Sequence, residues 1–232
     1  MAPRLLLATF ALALTGVTGL PAEPVALDSQ VVINRYLAAI ANVEQPRTVV
    51  FSYSVSQAGF YNLEQTHRIF RSLGRQRDET LSVDGDPVKM IRIVSRSDRY
   101  AVEKLAPRAG AYAFLFLGTH RNGKHLDYVY SAAPLGATQA FNVTEITVDG
   151  LTYLPSVIRF TSTVGTVKAT GAVSYAKFSK YWMPVLATVS ATVRKLPTRE
   201  RIVWSTYAFP AALPPSTFYQ PKPLAVPTIA PL

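Results

Sequence analysis

The stretch TVVFSYSVSQ, residues 48–57, decides the fold class. Val49, Phe51, Tyr53 and Val55 alternate with Val50, Ser52, Ser54 and Ser56, so one face is apolar and the other mostly small and polar. Successive side chains of a strand point to opposite faces, so this pattern predicts a half-buried antiparallel strand. Immediately upstream the period lengthens. Val32, Ile33, Tyr36, Leu37 and Ile40 recur at helical spacing within residues 31–41, behind the N-cap pair Asp28-Ser29, and Pro46 prevents continuation. An amphipathic helix of about three turns therefore opens the folded region.

Further upstream, a short cationic start ending at Arg4 precedes an apolar run over residues 5–14 broken only by Thr9, and small residues follow at Val17-Thr18-Gly19 and Pro21-Ala22. This is the layout of a secretory signal peptide cleaved after Gly19 or Ala22, and the run falls short of the ~20 residues of a membrane span. Residues 1–22 are assigned to the signal peptide, 23–218 to one β domain and 219–232 to a proline-rich tail, since seven of the 17 prolines lie between Pro210 and Pro231.

Downstream of the opening strand the period of two persists. Gly59 begins a turn into residues 63–73, residues 76–83 continue the pattern, and Asp84-Gly85-Asp86-Pro87 is a strong turn signal. Residues 88–94 and 99–105 read as two more strands. The run AYAFLFL, residues 111–117, reads as a strand or short helix and, from its composition, as mobile apolar cover. Asn122-Gly123 signals a hairpin into residues 126–131. Residues 141–148 and 153–163 pair around Asp149-Gly150 with a bulge or edge at Pro155, and residues 166–178, 185–193 and 201–209 add three strands. About ten strands with one helix make a mainly β domain.

The 232-residue chain is 49 % hydrophobic, too apolar for disorder, and its lack of cysteine excludes thiolate metal sites, Cys nucleophiles and iron–sulfur clusters. There is no Gly-rich phosphate loop and no nucleophile elbow. His67 with Asp78 or Glu79 could form an acid–base pair, although a cross-strand ion pair with a neighbouring arginine explains those residues more simply. His120 and His125 flank a hairpin and could meet near Asp127 to hold a metal, but loop histidines of a basic protein are usually solvated. No catalytic residue, cofactor or metal ligand is assigned, and a non-enzymatic protein is expected.

The net charge of +10 is concentrated after residue 151, where nine Lys and Arg face the single acid Glu200. Such a face suits an anionic membrane surface or an acidic envelope protein, and export argues against nucleic acid. Lys177, Lys180 and Trp182 form the expected membrane-surface element, because cations beside an aromatic ring suit the headgroup boundary.

The order of these elements resembles the LolA and LppX superfamily. The resemblance rests on the signal peptide, the helix, TVVFSYSVSQ, a charged hairpin, IVSRSDRYAV at residues 93–102 and VDGLTYLP at residues 148–155, and spans about residues 29–218. It implies a periplasmic or cell-envelope protein folded as an unclosed antiparallel β-barrel, a half-barrel with the N-terminal helix packed on its concave face. It also implies a carrier or sensor that takes a lipid, an acyl chain or a lipidated segment into an apolar concavity. Strand parity then nominates Val32, Tyr36, Leu37 and Ile40 of the helix against Phe51, Tyr53, Val55 and Trp204, with Phe114 and Phe116 as cover. A relative such as RseB is a sensor, so the alternative is a non-enzymatic protein-interaction module with a filled barrel.

Overall fold

The computed structural model describes residues 26–136 and 139–219. The expected signal peptide and the tail from residue 220 lie outside the described residues. Helix α1 (Ser29–Ala41) starts where the Asp28 carboxylate accepts the backbone N–H groups of Gln30 and Val31 at 2.8 and 3.2 Å, satisfying donors that a helix terminus leaves unpaired. Its buried stripe is Val32, Ile33, Tyr36 and Ile40, at the helical spacing read from the sequence.

Eleven strands form one antiparallel sheet. The first meander comprises β1 (Thr48–Ala58), β2 (Leu63–Ser72), β3 (Arg75–Val83) and β4 (Asp86–Ser95). After a four-residue helix, α2 (Val102–Leu105), the second comprises β5 (Tyr112–Asn122), β6 (His125–Pro134), β7 (Phe141–Val148), β8 (Pro155–Val164), β9 (Val167–Phe178), β10 (Tyr181–Val193) and β11 (Leu196–Ala208). The spatial order is β4-β3-β2-β1-β11-β10-β9-β8-β7-β6-β5, so the pairing of β1 with β11 joins the meanders while β4 and β5 remain the two edges. The expected unclosed, mainly β architecture is thus observed, with 11 strands rather than about ten.

Because the edges are consecutive in sequence, residues 96–111 pass from one to the other across the inner face of the sheet. We call this connection the strap. Residues 99–105 are not the expected strand. β4 has already completed its pairing at Ser95, and strap backbone groups instead bond locally, from Ala101 N to Asp98 O at 2.9 Å and from Ala106 N to Val102 O at 2.8 Å. Val102 and Ala106 enter the core. The 111–117 run, expected as mobile cover, belongs to edge strand β5 and is fixed by its ladder to β6; Leu115 and Leu117, facing away from the core, are 66 % and 54 % exposed.

Two-residue turns set the hairpin registers. Asp84-Gly85 and Arg194-Lys195 each have two successive positive φ values, 51° and 86° in the first and 47° and 69° in the second, the handedness that matches strand twist. Helix α1 is fastened to the second meander and the strap. Tyr36, 0 % exposed, donates its hydroxyl to Pro107 O at 2.8 Å and meets Phe114 edge-on at 5.9 Å, while Tyr130 donates to Ser29 O at 2.7 Å. Replacing Tyr36 by Phe is expected to lower stability by about 1–2 kcal/mol, since it leaves a buried carbonyl unpaired, whereas Tyr36→Ala adds a cavity and should cost about 3–5 kcal/mol; urea unfolding followed by circular dichroism measures both.

Candidate functional site

The helix covers only part of the inner face. Beside it a cavity of about 250 Å³ lies between β1, β10, β11 and the strap. Its floor follows from strand parity: Phe51, Tyr53 and Val55 point inward from β1, and Ile202 and Trp204 from β11, with Tyr53 directly opposite Trp204 and Val55 opposite Ile202. Tyr100 of the strap closes over the floor, its ring edge-on to Trp204 at 5.3 Å.

A bulge extends this aromatic floor. Val50 pairs with Ala208 but Ser52 with Ser205, a register shift of one residue, and Thr206 within it has φ 54°. The extra residue reverses the alternation, so Tyr207 lines the same cavity as Trp204 and stacks near Phe51, with ring centres 5.4 Å apart. A β-branched residue at positive φ is strained, and the packing of Tyr207 offsets that strain.

One end of the cavity is polar. Arg71 on β2 lies over the Phe51 ring at 4.8 Å, donates from Nε to Gln76 Oε1 at 2.6 Å and reaches Asp98 of the strap at 3.4 Å. Arg96 donates from Nε to both Asp98 oxygens at 2.9 Å. Burial lowers the Arg71 pKa, and the Asp98 charge opposes the shift. The Tyr53 hydroxyl is pushed up to about 12, first by burial and then by the nearby Asp78 charge. The lining therefore joins an aromatic interior to three guanidinium groups, Arg71, Arg96 and Arg99, and two carboxylates, Asp98 and Glu200, a net positive charge that suits an amphiphile with an anionic end.

Phe51, Tyr53, Val55 and Trp204 line this cavity. The helix residues do not: Val32, Tyr36 and Ile40 are buried in the core with Leu37 packed beside them, and the helix is fastened to the β5–β6 side and the strap rather than to β1 and β11. Phe114 and Phe116 are rungs of β5 that pack on Tyr36 and Tyr130, not a cover over the cavity.

Trp182 is corrected as a surface residue. It is 7 % exposed, lines the cavity, and donates its indole N–H to Pro155 O at 2.8 Å, which withdraws the ring from any headgroup boundary. Lys177 is exposed, and Lys180 pairs with Glu44 at 2.5 Å. Arg159, Lys168, Arg199 and Arg201 lie on the outward face of their strands, apart from Lys177 and Lys180. His67 meets Asp78 at 2.9 Å as an imidazole–carboxylate pair, but it stacks behind Tyr53 and its Nε2 faces Gln65, so it is outside the cavity lining. Sequence reasoning missed the strap residues altogether; the signal was SRSD at residues 95–98, whose alternating charges suit a polar rim.

No family model and no curated protein matches the chain. Among solved structures, it is similar to a LolA superfamily protein from Nitrosomonas europaea, at 12 % identity and TM-score 0.43, with 84 % of this chain and 99 % of that chain covered. It is also similar to a domain described as an outer membrane lipoprotein-sorting protein from Vibrio parahaemolyticus, at 12 % identity and TM-score 0.45, covering 82 % and 97 %. A DUF1329 family protein from Desulfovibrio piger is 13 % identical with TM-score 0.45, covering 81 % and 97 %.

Asp98 fastens the strap to the sheet through Arg71 and to its own backbone segment through Arg96, with the carboxylate 23 % exposed. Asp98→Ala leaves both guanidinium groups short of a partner and is expected to cost about 1–3 kcal/mol in urea unfolding. New cleavage within residues 96–111 under limited proteolysis should accompany that loss. An unchanged cleavage pattern would show that Val102 and Ala106 hold the strap by packing alone.

Proposed function

We propose that this protein is an exported, non-enzymatic carrier or sensor of the cell envelope that takes one acyl chain, free or on a lipidated segment, beneath the strap. The observation that carries this reading is the join between an aromatic floor, Phe51, Tyr53 and Trp204, and the Arg71–Asp98–Arg96 end of the same cavity. Apolar ligand surface gains roughly 25 cal/mol per Å² on leaving water, while the guanidinium end receives a carboxylate or phosphate. A volume of about 250 Å³ lies at the lower margin of small-molecule sites, so the occupant is one chain rather than several. Strap opening admits the chain, since residues 96–101 form the wall opposite the strands.

A second reading is a protein-interaction module with a filled barrel. What favours it is the portion of the inner face already occupied by α1 and by Val102 and Ala106 of the strap. The two readings separate on ligand content. Native mass spectrometry of protein purified from a membrane-containing host is expected to reveal a bound lipid or fatty acid, and fatty acid should displace a hydrophobic dye. Val55→Trp, which intrudes on the cavity, is expected to weaken that displacement about tenfold, ~1.4 kcal/mol. Leu115→Ser on the outward face of β5 should leave it unchanged. Absence of both co-purified lipid and dye displacement would transfer the assignment to the interaction module.

A further inference from the structure

A second constellation lies at the far end of the β5–β6 hairpin. His120 and Asn122 of β5 stand opposite Asp127 and His125 of β6, so parity gathers all four on one face, away from the core tyrosines Tyr128 and Tyr130. That face would be solvated if the turn between β7 and β8 did not fold over it. A Cβ at Gly150 would sit 1.9 Å from Leu126 O, so glycine alone permits the approach, and the Gly150 N–H donates to Asp127 Oδ1 at 3.3 Å. Asp127 is consequently 2 % exposed, and Asp149 is carried to its side.

We infer that His125, Asp127 and Asp149 bind a divalent transition-metal ion of the zinc class, with the fourth position left to water. His125 Nε2 is 3.2 Å from Asp127 Oδ1 and 3.3 Å from Asp149 Oδ2. It is shielded from solvent and makes a hydrogen bond to neither oxygen. Ligand atoms around a tetrahedral zinc ion with bonds of about 2.0–2.1 Å stand about 3.3–3.4 Å apart, which is the spacing found. His120 Nε2 lies 3.4 Å from the other oxygen of Asp127, outside this three-residue cluster.

Charge and donor chemistry agree with the spacing. Among the described residues no Lys or Arg pairs with Asp127 or Asp149, so two adjacent carboxylates, one of them buried, lack a permanent cation. Imidazole with carboxylate selects zinc and its neighbours over calcium or magnesium, which prefer oxygen alone. The carboxylates are also aimed from behind: Asn122 donates to Asp127 Oδ2 at 3.0 Å, while the Thr152 backbone and hydroxyl each donate to Asp149 Oδ1 at 2.7 Å, leaving Asp149 Oδ2 toward His125. Bound metal would fasten the β7–β8 turn to the edge hairpin independently of the lipid cavity.

The purified protein, stripped with chelator and dialysed, should take up about one zinc ion per chain in titration calorimetry and melt at a higher temperature with zinc present. Cobalt(II) in its place should give the intense visible bands of tetrahedral coordination. His125→Gln and Asp149→Asn should each weaken zinc binding about tenfold or more, and Asp86→Asn in a distant turn should not. Zinc uptake and the cobalt spectrum of the wild type need no substitution, so they keep the test open if the variants do not fold. The inference is overturned by no zinc uptake in the wild type, by cobalt spectra without tetrahedral bands, or by undiminished affinity in the His125 and Asp149 variants.

Discussion

The pairing of β1 with β11 places the edges of the sheet at β4 and β5, which follow one another in the chain. Every other feature of the inner face follows from that arrangement. A connection between consecutive edges of an open, curved sheet must either go round its outside or cross its mouth, and residues 96–111 cross the inner face. The strap supplies Val102 and Ala106 to the core, receives the Tyr36 hydroxyl at Pro107, and forms one wall of the cavity. Barrel closure would have removed both the strap and the space beneath it.

The inner face is divided unequally between packing and vacancy. Beside β5 and β6, α1 fills the concavity with side chains that interlock with Tyr130 and Phe114. Beside β1 and β11 no helix of the described residues fills the concavity, and large aromatic rings line a space they do not fill. Rings that span so much area from a single Cα make a wide floor with few residues, which is why Phe51, Tyr53, Trp204 and Tyr207 suffice. The polar end depends on opposite logic. Arg71 is held over an aromatic face and against Asp98, so its charge is kept by specific partners in a poorly solvated place.

What was legible in the sequence was what repeats at short range. The alternation from Val49 to Val55 gave β1 its inward face, and the spacing from Val32 to Ile40 gave α1 its buried stripe. Long-range geometry was not legible. Residues 99–105 have strand-like composition, but their location across the mouth leaves them no strand to pair with. The 111–117 run is apolar enough for a core, yet at an edge half of it faces outward. Trp182 faces the same side as its cross-strand partner Lys177, yet it is buried while the lysine is exposed, because its indole N–H is tied to Pro155 O across the sheet. A reversal of parity by one bulge residue, Thr206, leaves no compositional trace, so Tyr207 could not have been assigned to the floor.

The seam between β1 and β11 also has a kinetic side. Val50 pairs with Ala208, across nearly the whole domain, whereas the other ladders join strands adjacent in the chain and can form as local hairpins. Closing so long a loop is entropically slow, so the seam is the step of highest contact order. Until β11 arrives, the inward face of β1, with Phe51, Tyr53 and Val55, has no neighbour on that side. The surface that floors the cavity in the finished protein is therefore the stickiest surface of the unfinished one, and the chain must keep it from other chains until its last strand is in place.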